Sequence, residues 1–211
     1  QKLPILILGH VQPEFAAALI EHHITAACYS LPQAKALSAV AVQAVGTLDI
    51  HLKAYTVMGR ICFPLRTDFA QSIAEMLEVC ALPGLHMTGL FQHFAVADDD
   101  STENIAYTEE QYQLFLKTYR ALKAAGHEPP LVHCDNSAGV MLHPDWPNGE
   151  ITAPCMARPG IILYGFDPSD EVRFDTFKPV MKLKTVVSMV KELQPGQSTS
   201  YGRRFTAKTP T

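Results

Sequence analysis

The chain has 211 residues, of which 47% are hydrophobic and 18% charged, so it can bury a sizeable core and falls in the globular class. Its formal net charge of -4 and its scattered lysines and arginines argue against a nucleic-acid partner. No apolar run approaches the roughly 20 residues that span a bilayer, and no signal peptide is visible, so we expect a cytoplasmic protein without membrane contact.

Short apolar runs alternate with helical segments along most of the chain, which is the pattern of βα units. The runs are rich in Val, Ile, Leu and aromatic residues without strict polar alternation, as is typical of parallel strands covered on both faces. The sequence therefore predicts an α/β protein with a parallel sheet. The six predicted strands are 4–9, 24–30, 49–56, 87–94, 131–138 and 157–165.

Helices are predicted between these strands. Thr108 and the two glutamates after it form an acidic first turn, and Gly126 ends the same helix. Between these limits, apolar side chains recur on one face. The other helices are predicted at 13–22, 32–45 and 68–79.

The character of the sequence changes near Phe177. A stretch rich in valine and lysine, a turn at 194–197 and a stretch rich in Ser, Thr and Tyr predict antiparallel strands. We therefore divide the chain into a βα segment, 1–176, and the truncated start of a β domain, 177–211.

The five cysteines are an odd number, form no CxxC pair and lie mostly in apolar stretches, as reduced core cysteines do. The histidines show no metal-ligand spacing. We therefore expect neither disulfides nor a metal site.

The ends of the predicted strands carry polar residues that are candidates for a site, because groups at the carboxyl ends of parallel strands in α/β folds point into a common mouth. Backbone N–H groups around Gly160, together with the Ser137 hydroxyl, suit a phosphate group. Each residue also has an ordinary interpretation, in a turn, a core or a solvated loop. The strand ends supply Lys53, Arg60, His93, Ser137 and Arg158.

Motifs are distributed over almost the whole chain in the order HLKAYTVMGR (51–60), GLFQHFAVAD (89–98), DNSAG (135–139), RPGIILYG (158–165) and STSYGRRF (198–205). Together they resemble alanine racemases, the pyridoxal-phosphate isomerases of fold type III. The resemblance implies a partial TIM (β/α)8 barrel, matching family strands three to eight, followed by the start of the family's β domain. It also implies a head-to-tail homodimer whose active sites use residues of both subunits.

The resemblance assigns the cofactor phosphate to Ser137 and to the backbone N–H groups of Gly160 and Ile161. It places Arg158 at the pyridine nitrogen, with His93 hydrogen-bonded to this arginine. A permanently cationic arginine keeps that nitrogen unprotonated and restrains delocalisation of the carbanion, which favours simple proton return over transamination.

Three further roles follow from the resemblance. Arg60 resembles the arginine that reaches the cofactor's phenolic oxygen and the substrate carboxylate. Lys53 matches a lysine that is carbamylated in some members and orients that arginine. Tyr201 resembles the catalytic tyrosine, offered across the dimer to exchange the Cα proton of alanine or another small amino acid.

Two departures from the family pattern affect the predicted activity. No stretch of the chain matches the family segment with the lysine that binds the cofactor covalently, so we expect this chain to be inactive as it stands. In addition, Tyr55 and Val57 replace a carboxylate and a glycine that the family usually has before the residue matching Arg60. Val57 does not adopt positive φ without strain, so the loop presenting Arg60 is expected to differ.

Other hypotheses stay open on the sequence. One is a non-catalytic remnant or interaction module with a racemase-like barrel. The other is a lysine or ornithine decarboxylase of the same fold type, which the RPGIILYG and SYG motifs disfavour.

Overall fold

The computed structural model describes residues 3–54, 56, 61–146, 149–174 and 176–211. It consists of two units, Gln1–Pro179 and Val180–Thr211. The first contains a parallel sheet whose strands are neighbours in chain order, which confirms the predicted α/β class. The strands are β1 (Ile5–Ile7), β2 (Ile24–Cys28), β3 (Leu48–Lys53), β4 (Leu85–Phe91) and β5 (Val132–His133).

Helices connect the strands in the predicted order. Their first turns are stabilised by side-chain caps: Ser30 accepts the Gln33 N–H, and Asp68 accepts the Gln71 N–H. The helices are α1 (Ala16–Glu21), α2 (Leu31–Gln43), α3 (Phe69–Cys80), α4 (Thr102–Ala124) and α5 (Ser137–Leu142). In the described part of the chain, no helix has both the length and the apolar character needed to cross a membrane.

Helix α4 begins earlier than predicted. The sequence placed its start at Thr108, but the helix begins at Thr102 because the Ser101 side chain caps it by accepting the Asn104 N–H. Thr108 is an interior residue whose hydroxyl donates to the Asn104 carbonyl. The acidic pair after Thr108 therefore lies in the third turn of the helix and not in the first turn, where the sequence placed it.

The two faces of the sheet differ in character. Ile50, Leu52, Leu90 and Val132 belong to the apolar core that packs against the helices. The residues that alternate with them in β3 to β5 point to the opposite face. The register pairs His51 with Gly89, Lys53 with Phe91 and Phe91 with His133. The opposite face therefore combines aromatic, basic and imidazole side chains, and it is where a site can form.

The sixth predicted strand, 157–165, is wrong. Ile161–Tyr164 forms a 3-10 turn that is closed by Gly165 in the left-handed conformation. Pro159 has no N–H to donate to a sheet. Pairing with β5 occurs earlier and is reduced to a single parallel bridge between Val132 and Cys155. Arg158 and Gly160 therefore lie on an irregular segment.

The second unit contains one antiparallel pair, β6 (Ser198–Thr199) with β7 (Phe205–Thr206), in agreement with the predicted strand direction. The predicted turn at 194–197 forms, with the Gln197 N–H donating to the Gln194 carbonyl. The valine-rich stretch 180–193 forms no strand, contrary to expectation, and most of its apolar side chains are exposed.

Candidate active site

Arg158 is fixed at the carboxyl ends of β4 and β5. Its Nη2 donates to the carbonyl of Gln92 at 2.6 Å and to that of Cys134 at 3.2 Å. Its backbone N–H donates to the Asp135 carbonyl at 2.9 Å. Because all three acceptors lie within two residues of a strand end, the sheet holds Arg158 in place.

A pair of buried histidines extends this anchor across the sheet. Arg158 Nη1 lies 2.6 Å from His133 Nδ1, and His133 Nε2 lies 2.8 Å from His51 Nδ1. Arginine has no acceptor, so His133 Nδ1 must accept and the His133 proton lies on Nε2. That proton is donated to His51. The hydrogen bonds therefore run in one direction, from Arg158 through His133 to His51.

Gly89 makes the contact between the two histidines possible. His51 lies on β3 and His133 on β5, and β4 lies between these strands. A Cβ built on Gly89 would lie 2.7 Å from the His51 ring. The absence of a side chain on Gly89 therefore lets the His51 ring extend over β4 to reach His133.

Burial keeps both imidazoles neutral. It lowers the pKa of His51 to about 4, and burial together with the Arg158 charge holds the pKa of His133 well below its ordinary range. Burial also lowers the pKa of Arg158, to about 10, which leaves the guanidinium protonated at neutral pH. The hydrogen-bonded set therefore carries one positive charge, on Arg158.

His93 is a more distant neighbour of Arg158 than His133 is. Its Nδ1 lies 3.4 Å from Arg158 Nη2, compared with 2.6 Å for the contact with His133. His93 was predicted as the histidine beside Arg158, whereas His133 and His51 were not predicted. The available signal was a single histidine interrupting each of two apolar strands.

Arg158 and His93 line two cavities. The first, here called the lysine recess, has a volume of about 300 Å³ and is also lined by Lys53, Thr56, Phe91 and Cys62, among others. The second, the serine recess, has a volume of about 240 Å³. Its other lining residues are Asp98, Asn136, Ser137, Ala138, Gly160, Ile161 and Pro168.

The serine recess brings together the three residues predicted to hold a phosphate. The Gly160 N–H donates to the Ser137 Oγ at 2.9 Å, which joins the start of α5 to the irregular segment after Arg158. Asn136 caps α5 by accepting the Gly139 N–H. A Cβ on Gly160 would meet no atom within 4 Å, so the backbone there is open to a ligand. Ile161 begins the adjacent 3-10 turn.

Lys53 lines the lysine recess from the end of β3. Its Nζ donates to the Leu8 carbonyl at 3.0 Å and lies 5.6 Å from the centre of the Phe91 ring. Arg60, together with Tyr55 and Val57, lies outside the described residues. The predicted relation between Lys53 and Arg60 therefore stays a prediction.

Tyr201 belongs to the second unit. It is 99% exposed and starts the 3-10 turn Tyr201–Arg203, in which Gly202 has a φ of 72°. Within the described residues its hydroxyl has no hydrogen-bond partner.

The donor set fits a phosphorylated ligand better than a metal ion. No group of three or more His, Cys, Asp or Glu residues in the described ranges could hold a metal. The serine recess instead offers a hydroxyl, open backbone and a guanidinium, which are the groups that bind phosphate and neutral ring nitrogen.

Comparison with known proteins decides the family. The family model described as the alanine racemase N-terminal domain matches residues 1–168. The chain belongs to the alanine racemase family. The resemblance found in the sequence is therefore confirmed.

Relatives with this family name match all or nearly all of the chain. The alanine racemase of Desulforamulus reducens is 36% identical over all of the chain, and that of Desulfovibrio desulfuricans is 39% identical over 95% of it. The alanine racemase structure from Clostridium difficile has a TM-score of 0.77 at 32% identity and covers 100% of the chain. The structure of the Bacillus anthracis enzyme with bound L-Ala-P has a TM-score of 0.75 at 26% identity over 99% of it.

The chain spans about half the length of these racemases, 54% and 51% of the two curated relatives and 52% of each of the two structures. The neighbours and the parallel sheet confirm the predicted partial α/β barrel.

Replacing Gly89 with alanine should destabilise the fold. The added methyl group overlaps the His51 ring, and overpacking of this kind costs about 1–3 kcal/mol. Urea unfolding measures the loss. Gly9→Ala is the matched control, because a Cβ there meets no atom within 4 Å and the free energy of unfolding should change by less than about 0.5 kcal/mol. Equal effects of the two substitutions would contradict the proposed crossing of β4 by His51.

The buried histidines should make the fold less stable in mild acid. The pKa of His51 is about 4 in the fold against 6.5 ordinarily, and that of His133 is also lowered, so below pH 6.5 the unfolded state binds more protons. The stability that the neutral imidazoles contribute to the fold is present above pH 6.5 and is lost as the pH falls. Burial raises the pKa of Asp135 from 3.8 to about 6, so below pH 6 the folded state binds a proton at this carboxyl group. That proton offsets the one that the unfolded state gains at one of the two histidines. The free energy of unfolding should therefore fall by about 1 kcal/mol per pH unit between pH 6.5 and pH 5.

Urea unfolding at pH 6.5, 5.75 and 5 tests this dependence. A His51→Gln variant loses one titrating imidazole and should show a shallower slope. A wild-type stability that is constant or rises on acidification would show that the imidazoles are not held neutral.

Proposed function

We propose that this chain is the cofactor-holding part of a pyridoxal-phosphate-dependent alanine racemase that interconverts L- and D-alanine. The observation that carries the proposal is the shared wall formed by Arg158 and His93 between the lysine recess and the serine recess. A ligand with its phosphate at Ser137 and its pyridine nitrogen at Arg158 requires phosphate-binding donors and a fixed cation on adjoining surfaces. The family membership supports the same assignment.

Hydrogen bonding suits the serine recess to a phosphate, and the Arg158 cation balances the Asp98 carboxylate that also lines it. Ser137 is 6% exposed and its hydroxyl is already oriented by the Gly160 N–H, so little side-chain ordering is needed on binding. In this proposal the Ser137 hydroxyl donates to a phosphate oxygen, the backbone N–H of Ile161 faces the same group, and the Gly160 N–H contributes by holding the Ser137 oxygen in place.

Arg158 suits the ring nitrogen because its charge and its position are both fixed. Its Nε hydrogen and one Nη1 hydrogen have no acceptor among the described residues, which leaves donors for a ligand. His133 accepts from Arg158 as a neutral imidazole, so the proton stays on the guanidinium and is not passed to the ligand. When bound, pyridoxal phosphate supplies the electron sink that makes the Cα proton of an amino acid acidic. Arg158 limits how far that sink extends onto the ring nitrogen.

The remaining roles are part of the proposal. Tyr201 exchanges the Cα proton at the active site of a second copy in a homodimer. The side chain is almost fully exposed within the second unit, which supports a role in contact with another subunit. Arg60 binds the cofactor's phenolic oxygen and the substrate carboxylate, and Lys53, which lines the lysine recess, orients that arginine. We assign 177–211 to the start of the β domain that follows the barrel.

We place the covalent lysine outside residues 1–211, because no stretch here resembles the family segment that carries it. The relatives are about twice as long as the chain, which supports this assignment. The described cysteines are all free thiols, which favours a reducing compartment such as the cytoplasm, where the product would supply D-alanine.

Binding of 4-deoxypyridoxine 5-phosphate tests the proposed cofactor site directly. This probe has the ring nitrogen and the phosphate of the cofactor but no aldehyde, so it does not react with the surface lysines of the chain. Calorimetry should show one site per chain, and Ser137→Ala should weaken binding by about tenfold through the loss of one charge-assisted hydrogen bond. Ser188→Ala, an exposed position in the second unit, is the control. No binding by the wild-type chain, or equal binding by both variants, would refute the proposed cofactor site.

A chimera tests the activity. Residues 1–211 should be able to replace the corresponding half of the Desulforamulus reducens alanine racemase, which supplies the other half. Exchange of the alanine Cα proton in D2O, followed by NMR, should be restored. Tyr201→Phe in the same chimera should lower it by about 100-fold or more, the usual contribution of a positioned acid or base. A folded chimera that binds the probe and does not exchange alanine would favour the non-catalytic alternative.

A further inference from the structure

Gln111 is a buried polar residue on the apolar side of α4. It is 1% exposed, and its neighbours Tyr112, Phe115 and Leu116 belong to the hydrophobic core. Burying a side-chain amide is unfavourable unless its hydrogen bonds are satisfied, and packing alone is served as well by leucine. The presence of glutamine here therefore calls for a polar role.

The hydrogen bonds of Gln111 lead to the ends of two strands. Its Nε2 donates to the Thr56 hydroxyl at 3.1 Å and to the His93 carbonyl at 3.4 Å, and its Oε1 accepts the Ala95 N–H at 3.1 Å. Thr56 lies beyond β3, and His93 and Ala95 follow β4. One side chain on a helix thus connects the segments after both strands.

Thr56 continues the connection towards Arg158. It accepts from Gln111 and donates to Gln92 Oε1 at 2.6 Å, and the Gln92 carbonyl accepts from Arg158 at 2.6 Å. The Gln92 side-chain nitrogen is buried and has no partner in the described chain. Within that part of the chain, the orientation of the Gln92 side chain therefore depends on Thr56.

We propose that Gln111 is a positioning residue for the two recesses: its hydrogen bonds to Thr56, His93 and Ala95 hold the strand ends that carry the wall shared by the lysine and serine recesses. The inference rests on the proposed function, since it assigns Gln111 a role in binding the cofactor analogue. Gln111 acts on Arg158 through His93, and through Thr56 and Gln92.

The test compares Gln111→Leu with Gln113→Leu, an exposed position on the same helix whose side chain donates a hydrogen bond to Glu109. Gln111→Leu should weaken binding of 4-deoxypyridoxine 5-phosphate by about tenfold, because it leaves the Thr56, His93 and Ala95 groups without their partner. Gln113→Leu should bind like the wild type.

NMR supplies readouts that do not depend on the ligand. In Gln111→Leu, exchange of the Ala95 amide hydrogen should be about tenfold faster, and the Arg158 Nε–H resonance should shift. A role in stability alone would change the unfolding midpoint without weakening binding in the folded protein. Unchanged binding together with an unchanged Arg158 resonance would overturn the inference.

A second pair of variants covers the case in which Gln111→Leu does not fold. Thr56→Val removes the hydroxyl that links Gln111 to Gln92 and should weaken probe binding, whereas Thr56→Ser keeps the hydroxyl and should restore it. Equal binding by these two variants would count against the inference. If the wild-type chain itself binds no probe, the proposed function fails, and the Ala95 and Arg158 signals alone decide whether Gln111 holds the strand ends.

Discussion

The hydrogen bond from Arg158 to His133 is the interaction on which the site depends. A half-buried guanidinium needs acceptors, and this one uses a neutral imidazole and two strand-end carbonyls instead of a carboxylate. The cation is thereby held in place without an ion-pair partner among its hydrogen bonds. A group of this kind can face a ring nitrogen as a fixed positive charge, whereas a carboxylate at the same place would favour a protonated nitrogen.

The register of the sheet makes this arrangement possible. Strand alternation places His51, Gly89 and His133 on one face, and only the absence of a side chain on Gly89 allows the two rings to meet. The same alternation places Ile50, Leu52 and Leu90 against the helices. Stability and site geometry therefore use opposite faces of the same strands, and a one-residue shift in register would disrupt both.

How much of this the sequence could predict differs from element to element. The first strands and helices followed from apolar runs and caps, because those signals are local. The segment 157–165 was misread because its apolar residues resemble a strand, while Pro159 and the left-handed Gly165 produce a turn instead. His133 was missed because its importance depends on Arg158, 25 residues later, and on a ring that extends across β4. Gln111 was missed for a similar reason, since its partner Thr56 lies 55 residues away. Contacts of this kind are set by the tertiary structure and leave no periodic trace in the sequence.

The most direct test of this account is the tautomer of His133, measured by long-range 1H–15N correlation of the imidazoles at pH 7. The account predicts a neutral ring with its proton on Nε2 and an unprotonated Nδ1 that accepts from Arg158. The same state should persist at pH 5.5, because burial and the neighbouring charge lower the pKa of this group. A proton on Nδ1, or a doubly protonated ring, would contradict the hydrogen bond to Arg158 and the role assigned to that arginine.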